Sequence, residues 1–185
     1  MADARLARRI YDRSHLTGEF RLRSGVVSDE YFDKYLFESD PALLRQVCDA
    51  LVGLLPERVE AVAGLELGSV PLATVVSQRS GLPTLFVRKK AKDYGTCRLA
   101  EGGEVANRRL AVIEDVVSSG GQLIESCAAL REQGADIAAV VCVIDRDTGG
   151  AENLAAHGLA LRSLWTMSQL RHAAGVEPNQ PTASQ

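Results

Sequence analysis

The chain has 185 residues, of which 46% are hydrophobic, enough to bury one substantial core; the length predicts a single domain with at most a small appendage. A formal net charge of −3 argues against general nucleic-acid binding, and no run approaches the ~20 apolar residues that would span a membrane. Met1 to Ile10 reads as a charged amphipathic helix without the apolar core of a secretion signal, so a cytoplasmic protein is expected.

In chain order, the pattern predicts a helix over 3–13, then a strand at 20–23, where Phe20 and Leu22 alternate with Arg21 and Arg23. Ser24-Gly25 turns the chain, and a second extended segment is expected from Tyr31 to Phe37. Ser39-Asp40-Pro41 marks the start of a helix running to about Leu55, with Leu44, Val47, Leu51 and Leu54 on its buried face. Strands are then expected at 60–65, 84–88, 110–114, 137–144 and 160–165, and helices at 71–80, 121–133 and 152–157. This alternation implies an α/β fold: a mostly parallel, twisted sheet with helices on both faces. One domain over 1–175 is expected, with 176–185, rich in Pro, Asn, Gln and Ser, as a disordered tail. Cys48, Cys97, Cys127 and Cys142 have neither metal-ligand nor disulfide spacing; three fall in apolar segments and Cys97 in a loop. His15, His157 and His172 show no ligand spacing and are assigned no chemistry.

Leu110-Ala-Val-Ile-Glu-Asp-Val-Val-Ser-Ser-Gly-Gly-Gln122 carries the most chemical information. An apolar strand delivers Glu114 and Asp115 to the ligand-binding edge of a wound sheet. The small residues Ser118, Ser119, Gly120 and Gly121 then let backbone N–H groups converge on an anion at a helix N-terminus. Two carboxylates before a phosphate cradle repel an anion unless ribose hydroxyls and a cation such as Mg²⁺ intervene, so the implied ligand is a phosphorylated sugar. A Walker A loop is excluded, because no Lys follows the glycines.

This run resembles the phosphoribosyl diphosphate (PRPP) signature of the type I phosphoribosyltransferases. About twenty residues separate the strands at 84–88 and 110–114, longer than compact domains tolerate unless the loop is functional or carries extra strands. Its start, Arg88-Lys89-Lys90-Ala-Lys92-Asp93-Tyr94-Gly95, suits a lid over a polyanionic leaving group. It is similar to the mobile basic loop of the orotate phosphoribosyltransferase family, matched at Arg88, Lys89, Lys92 and Gly95, with Tyr94 where that family usually has His. Phe20 to Ser28 and Tyr31-Phe32-Asp33 resemble the family's N-terminal hood block, Gly64 to Pro71 its diphosphate-holding turn, and Asp145-Arg146 the pair whose arginine binds the orotate carboxylate.

The resemblance implies a hood over 15–40, a mobile basic loop over 88–104, and a symmetric homodimer whose loops cross the interface. It also implies transfer of the phosphoribosyl group from PRPP to orotate in pyrimidine (UMP) biosynthesis. Asp115, Glu114 and Lys92 would be catalytic. PRPP would be bound by Arg88, Lys89, Lys92, Tyr94, Glu114, Asp115, Val116, Val117, Ser118, Ser119, Gly120, Gly121 and Gln122, and orotate by Arg23, Phe32, Ser118 and Arg146. Mg²⁺ would be held mainly by PRPP oxygens and water, with no protein metal cage. The residues alone support this chemistry: a planar anionic base needs a stacking face, a cation for its carboxylate and backbone groups for its ring edges. A phosphoribosyltransferase for another base would keep 110–122 but lack the hood block and Arg146, whereas a regulatory PRPP-binding protein would lose the basic lid.

Overall fold

The computed structural model describes residues 3–21, 25, 27–90 and 98–176. Arg23, Ser24, Lys92, Tyr94, Cys97 and the tail from 177 onward, all named above, lie outside the described residues. Helix α1 (Ala4–Ser14) starts at Asp3, whose carboxylate caps Arg5 N–H, and buries Leu6, Ala7, Ile10 and Tyr11. Strands β1 (His15–Arg21) and β2 (Val27–Phe32) form a separate two-stranded antiparallel sheet.

The expected extended segment 31–37 is overturned beyond Phe32. Asp33 takes an extended conformation and accepts from Tyr35 N–H, which caps the short helix α2 (Lys34–Glu38) and turns Phe37 into the core. Helix α3 (Pro41–Val52) begins as expected, with Asp40 accepting from both Ala42 and Leu43 N–H. These two donors hold the Asp40 carboxyl below its usual range. Its fully buried face is Leu43, Val47, Cys48 and Leu51; the expected Leu44 and Leu54 are only half-buried, because the helix stops before Leu54.

The main sheet takes β3 (Ala61–Leu65), β4 (Thr84–Val87), β5 (Ala100–Glu101), β6 (Arg109–Val117), β7 (Asp136–Asp145) and β8 (Leu161–Thr166) in the order β5-β4-β3-β6-β7-β8. All neighbours are parallel except β4 and β5. β5 is the extra strand that the long 88–109 connection accommodates. Helices α1, α3, α4 (Ser69–Ser80) and α7 (Met167–Ala174) cover one face, meeting Val62, Ala111, Ile113 and Val141. Helices α5 (Gly121–Glu132) and α6 (Gly150–Ala156) cover the other, meeting Ala63, Leu85, Val112 and Cys142. Strands buried on both faces read as continuous apolar runs, which is why β3 and β6 were legible.

Helix α7 lies outside the expected elements, although Thr166 and Gln169 form a reciprocal capping box at its start. Cys48, Cys127 and Cys142 are buried free thiols, and burial pushes the first two up to about 12. No helix among the described residues is long and apolar enough to cross a membrane.

Candidate active site

Crossovers leave β3 toward β4 on one side and β6 toward β7 on the other, so the β3–β6 boundary is a topological switch point. The carboxyl ends of these two strands carry the Gly64–Pro71 turn and the Glu114-Asp115 pair respectively. Space between them is tight. A Cβ on Gly64 would come 2.6 Å from that of Ala73, and one on Gly68 would overlap Asp115 Oδ2. The Ser69 hydroxyl donates to Glu114 Oε1 at 2.6 Å, and Asp115 N–H donates to the same oxygen at 2.9 Å.

Asp115 is only 1% exposed and forms an ion pair with Lys34 of α2, a hood residue that the sequence reading passed over. Burial opposes the charge of Lys34, yet Asp115 and then Glu114 raise its pKa above the ordinary value. Glu114 is raised by burial and by the adjacent Asp115 carboxylate, with Ser69 opposing. Glu38, at the end of α2, is a further acid of this cluster. It is 5% exposed, neither carboxyl oxygen has a hydrogen-bond partner, and burial followed by the Asp115 charge pushes it up to about 8. A deeply buried Glu with no donor favours its neutral form, and the ion pair of Lys34 is with Asp115.

Beyond Asp115 the chain runs through Ser118 and Ser119 to the start of α5. Gly120 caps α5 at φ +76°, a conformation that favours glycine. Ile124 N–H makes the first bond of the helix, to Gly120 C=O at 2.9 Å, so the N–H groups of Gly121, Gln122 and Leu123 have no helix partner and face outward. With Lys34, Glu114, Asp115, Val116, Val117, Ser118 and Ser119 these residues line a cavity of ≈ 330 Å³. Such an end binds anions through its N–H groups and the positive pole of the helix dipole. Its outer wall is fixed from α6: Asn153 Nδ2 donates to Ser119 C=O at 2.8 Å, and Gly150 lies so close to the Ser118 carbonyl that a Cβ would overlap it.

A second cavity, of ≈ 200 Å³, brings together Phe32 and Arg146, the two residues assigned to the base, with Tyr11, His15, Glu30 and Arg171, to which no such place was assigned. The two cavities adjoin, because Arg146 N–H donates to Val117 C=O at 2.8 Å. The neighbouring acids do not engage the Arg146 guanidinium. Asp145 Oδ1 accepts from Asp147 N–H, and Asp147 Oδ2 accepts from Ser168. Phe32 serves two purposes, packing 6.4 Å from the Tyr11 ring while it lines the cavity. Glu30 ties His15 at 2.9 Å to Arg171 of α7, so the missed helix closes this cavity.

Arg88 and Lys89, expected at the diphosphate, stand apart from the cradle. The Arg88 side chain turns to Glu101 across β4–β5, at 3.8 Å, and Lys89 is anchored through its backbone N–H, which donates to Glu66 at 2.7 Å. Neither lines the cradle cavity; both stand at the carboxyl end of β4, beside the β3 turn. Ser118, expected at both ligands, lines only the cradle.

A family model for the phosphoribosyl transferase domain matches residues 41–156. A curated orotate phosphoribosyltransferase from a Nocardioides species is 53% identical over 168 residues, 91% of this chain and 94% of its own length. The chain belongs to the orotate phosphoribosyltransferase family. A solved member of that family, the Mycobacterium tuberculosis H37Rv enzyme in complex with Fe(III) dicitrate, superposes with a TM-score of 0.82 at 32% identity, covering 90% of this chain and 97% of the other. A crystal structure of the same enzyme in complex with PRPP superposes at 0.77 with 28% identity, covering 90% and 97%.

Proposed function

We propose that this protein transfers the 5-phosphoribosyl group from PRPP to orotate, giving orotidine 5′-monophosphate and diphosphate in pyrimidine (UMP) biosynthesis. The observation that carries the reading is the pair of adjoining cavities, one offering a helix N-terminus and two carboxylates, the other an aromatic face and an arginine whose guanidinium has no ion-pair partner among the described residues. Ser118, Ser119, Gly120, Gly121 and Gln122 hold the 5′-phosphate. Glu114 and Asp115 take the ribose hydroxyls and oppose the positive charge that develops on the ring as diphosphate leaves. Arg88, Lys89, Lys92 and Tyr94 receive the diphosphate; for Lys92 and Tyr94 this rests on the sequence pattern alone. Arg146 pairs with the orotate carboxylate, Phe32 supplies the ring face, and Arg23, on the sequence pattern alone, adds charge to the base site.

Because orotate presents an anionic ring nitrogen, positioning and electrostatics suffice and no strong general base is needed. The cavity donors are carboxylate and hydroxyl oxygens, the hard ligands that suit Mg²⁺. Among the described residues no group of three or more His, Cys, Asp or Glu could cage an ion. When bound on PRPP oxygens and water, Mg²⁺ supplies charge neutralisation of the leaving diphosphate. We place the enzyme in the cytoplasm as a homodimer with the basic loop reaching the partner's site. Heterodimers of Lys92→Ala with Asp115→Asn chains then regain activity, and their failure to do so rejects the crossed loop.

The test is ultraviolet monitoring of orotate consumption with PRPP and Mg²⁺, beside uracil, adenine, guanine and hypoxanthine. Consumption of orotate alone, nearly abolished in a folded Asp115→Asn variant, is the expected result. Turnover of another base in preference to orotate overturns the assignment.

A further inference from the structure

Lys34 follows the Asp33 cap at the start of α2 and reaches out of the hood into the cradle cavity, where its ammonium meets Asp115 Oδ2. The other carboxylate oxygen, Oδ1, accepts from Val116 N–H at 2.5 Å, so Lys34 is the cation that balances a charge only 1% exposed. If ribose hydroxyls are to take Asp115, the pair must open and the ammonium needs a second anion. Its position says which one. A Cβ on Gly68 would come within 2.8 Å of Lys34 Nζ, so the ammonium lies on the β3-turn side of the acidic pair. With the 5′-phosphate on the N-terminus of α5 and the ribose over Asp115, the diphosphate of PRPP extends toward that side. Lys34 is also the one cation among the described residues that line this cavity, and with its side chain 32% exposed it has room to move.

We propose that Lys34 is a diphosphate-binding residue that holds Asp115 until PRPP arrives and then exchanges the carboxylate for the diphosphate. This rests on the phosphoribosyl-transfer reading above. It makes the hood part of the PRPP site as well as the cover of the base, and it couples ribose capture at Asp115 to diphosphate capture at Lys34.

Calorimetry on the whole chain with three probes tests it: PRPP, inorganic diphosphate, each with Mg²⁺, and ribose 5-phosphate. In Lys34→Met the affinity for diphosphate and for PRPP falls at least ten-fold, while ribose 5-phosphate binds as well as to wild type or better, because Asp115 no longer has to be released. Lys34→Arg recovers part of the diphosphate affinity. A diphosphate affinity within two-fold of wild type, or a parallel loss for ribose 5-phosphate, overturns the proposal and leaves Lys34 as a structural counter-ion. Should Lys34→Met fail to fold, Lys34→Met/Asp115→Asn removes the buried charge together with its partner, and its comparison with Asp115→Asn alone gives the same diphosphate readout. If wild type itself binds no PRPP, the reading of the reaction fails, which is distinct from a failure confined to Lys34.

Discussion

The Ser69 hydroxyl donates to Glu114 Oε1 at 2.6 Å, joining the turn after β3 to the end of β6 across the switch point. This bond stabilises the ionised form of Glu114 against burial and the Asp115 charge. Ser69→Ala therefore raises the Glu114 pKa further. Loss of the hydrogen bond costs about 0.5–1.5 kcal/mol, read as a lower denaturation midpoint. The acidic limb of the kcat/KM profile for PRPP moves to higher pH; an unmoved limb would show that Glu114 need not be ionised.

Gly150 tests how the cradle is held. An added methyl there would overlap the Ser118 carbonyl and come within 2.7 Å of Val117 Cγ1. Gly150→Ala thus displaces the backbone that faces the phosphate, with an overpacking cost of about 1–3 kcal/mol and a marked loss of PRPP affinity by calorimetry. Gly149→Ala is the comparison. Its φ of +85° makes any side chain strained, but nothing lies within 4 Å, so it lowers stability and spares PRPP binding.

Arg146→Ala separates the two cavities. The charge-assisted contact to a carboxylate is worth on the order of 2–4 kcal/mol in a partly desolvated pocket, so the Michaelis constant for orotate rises roughly 30-fold or more. PRPP binding stays close to wild type, since Arg146 meets the cradle only through its backbone N–H. Equal weakening toward both substrates would mean that the side chain supports the sheet edge.

Glu38 makes stability pH-dependent. Its pKa is about 8 in the fold, against an ordinary value of 4.5. Between these values the folded chain binds more protons than the unfolded one, so the contribution of Glu38 is present below about pH 4.5 and is lost as the pH rises toward 8. Glu38→Gln keeps the neutral shape. It should flatten the fall in melting temperature between pH 5 and 8, and an unchanged slope would assign that fall to other groups.

The residues settle a large part of this protein before any tertiary contact is considered. Continuous apolar runs define β3 and β6, Pro41 after Asp40 starts α3, and small residues after an acidic pair mark an anion cradle. Each of these signals is local, because backbone conformation or a helix end requires that residue type at that place. The capping box of Thr166 and Gln169 at the start of α7 is a local signal of the same kind. What no local pattern contains is which distant groups meet. Lys34 and Glu38 belong to an amphipathic turn of the hood, and only packing of α2 over the switch point brings them to Asp115. Arg171 likewise reaches Glu30 only because α7 packs against α1. The charges of such residues look solvated in a sequence. Long-range closure decides which of them lose water and find a single partner, and so which ones form the site.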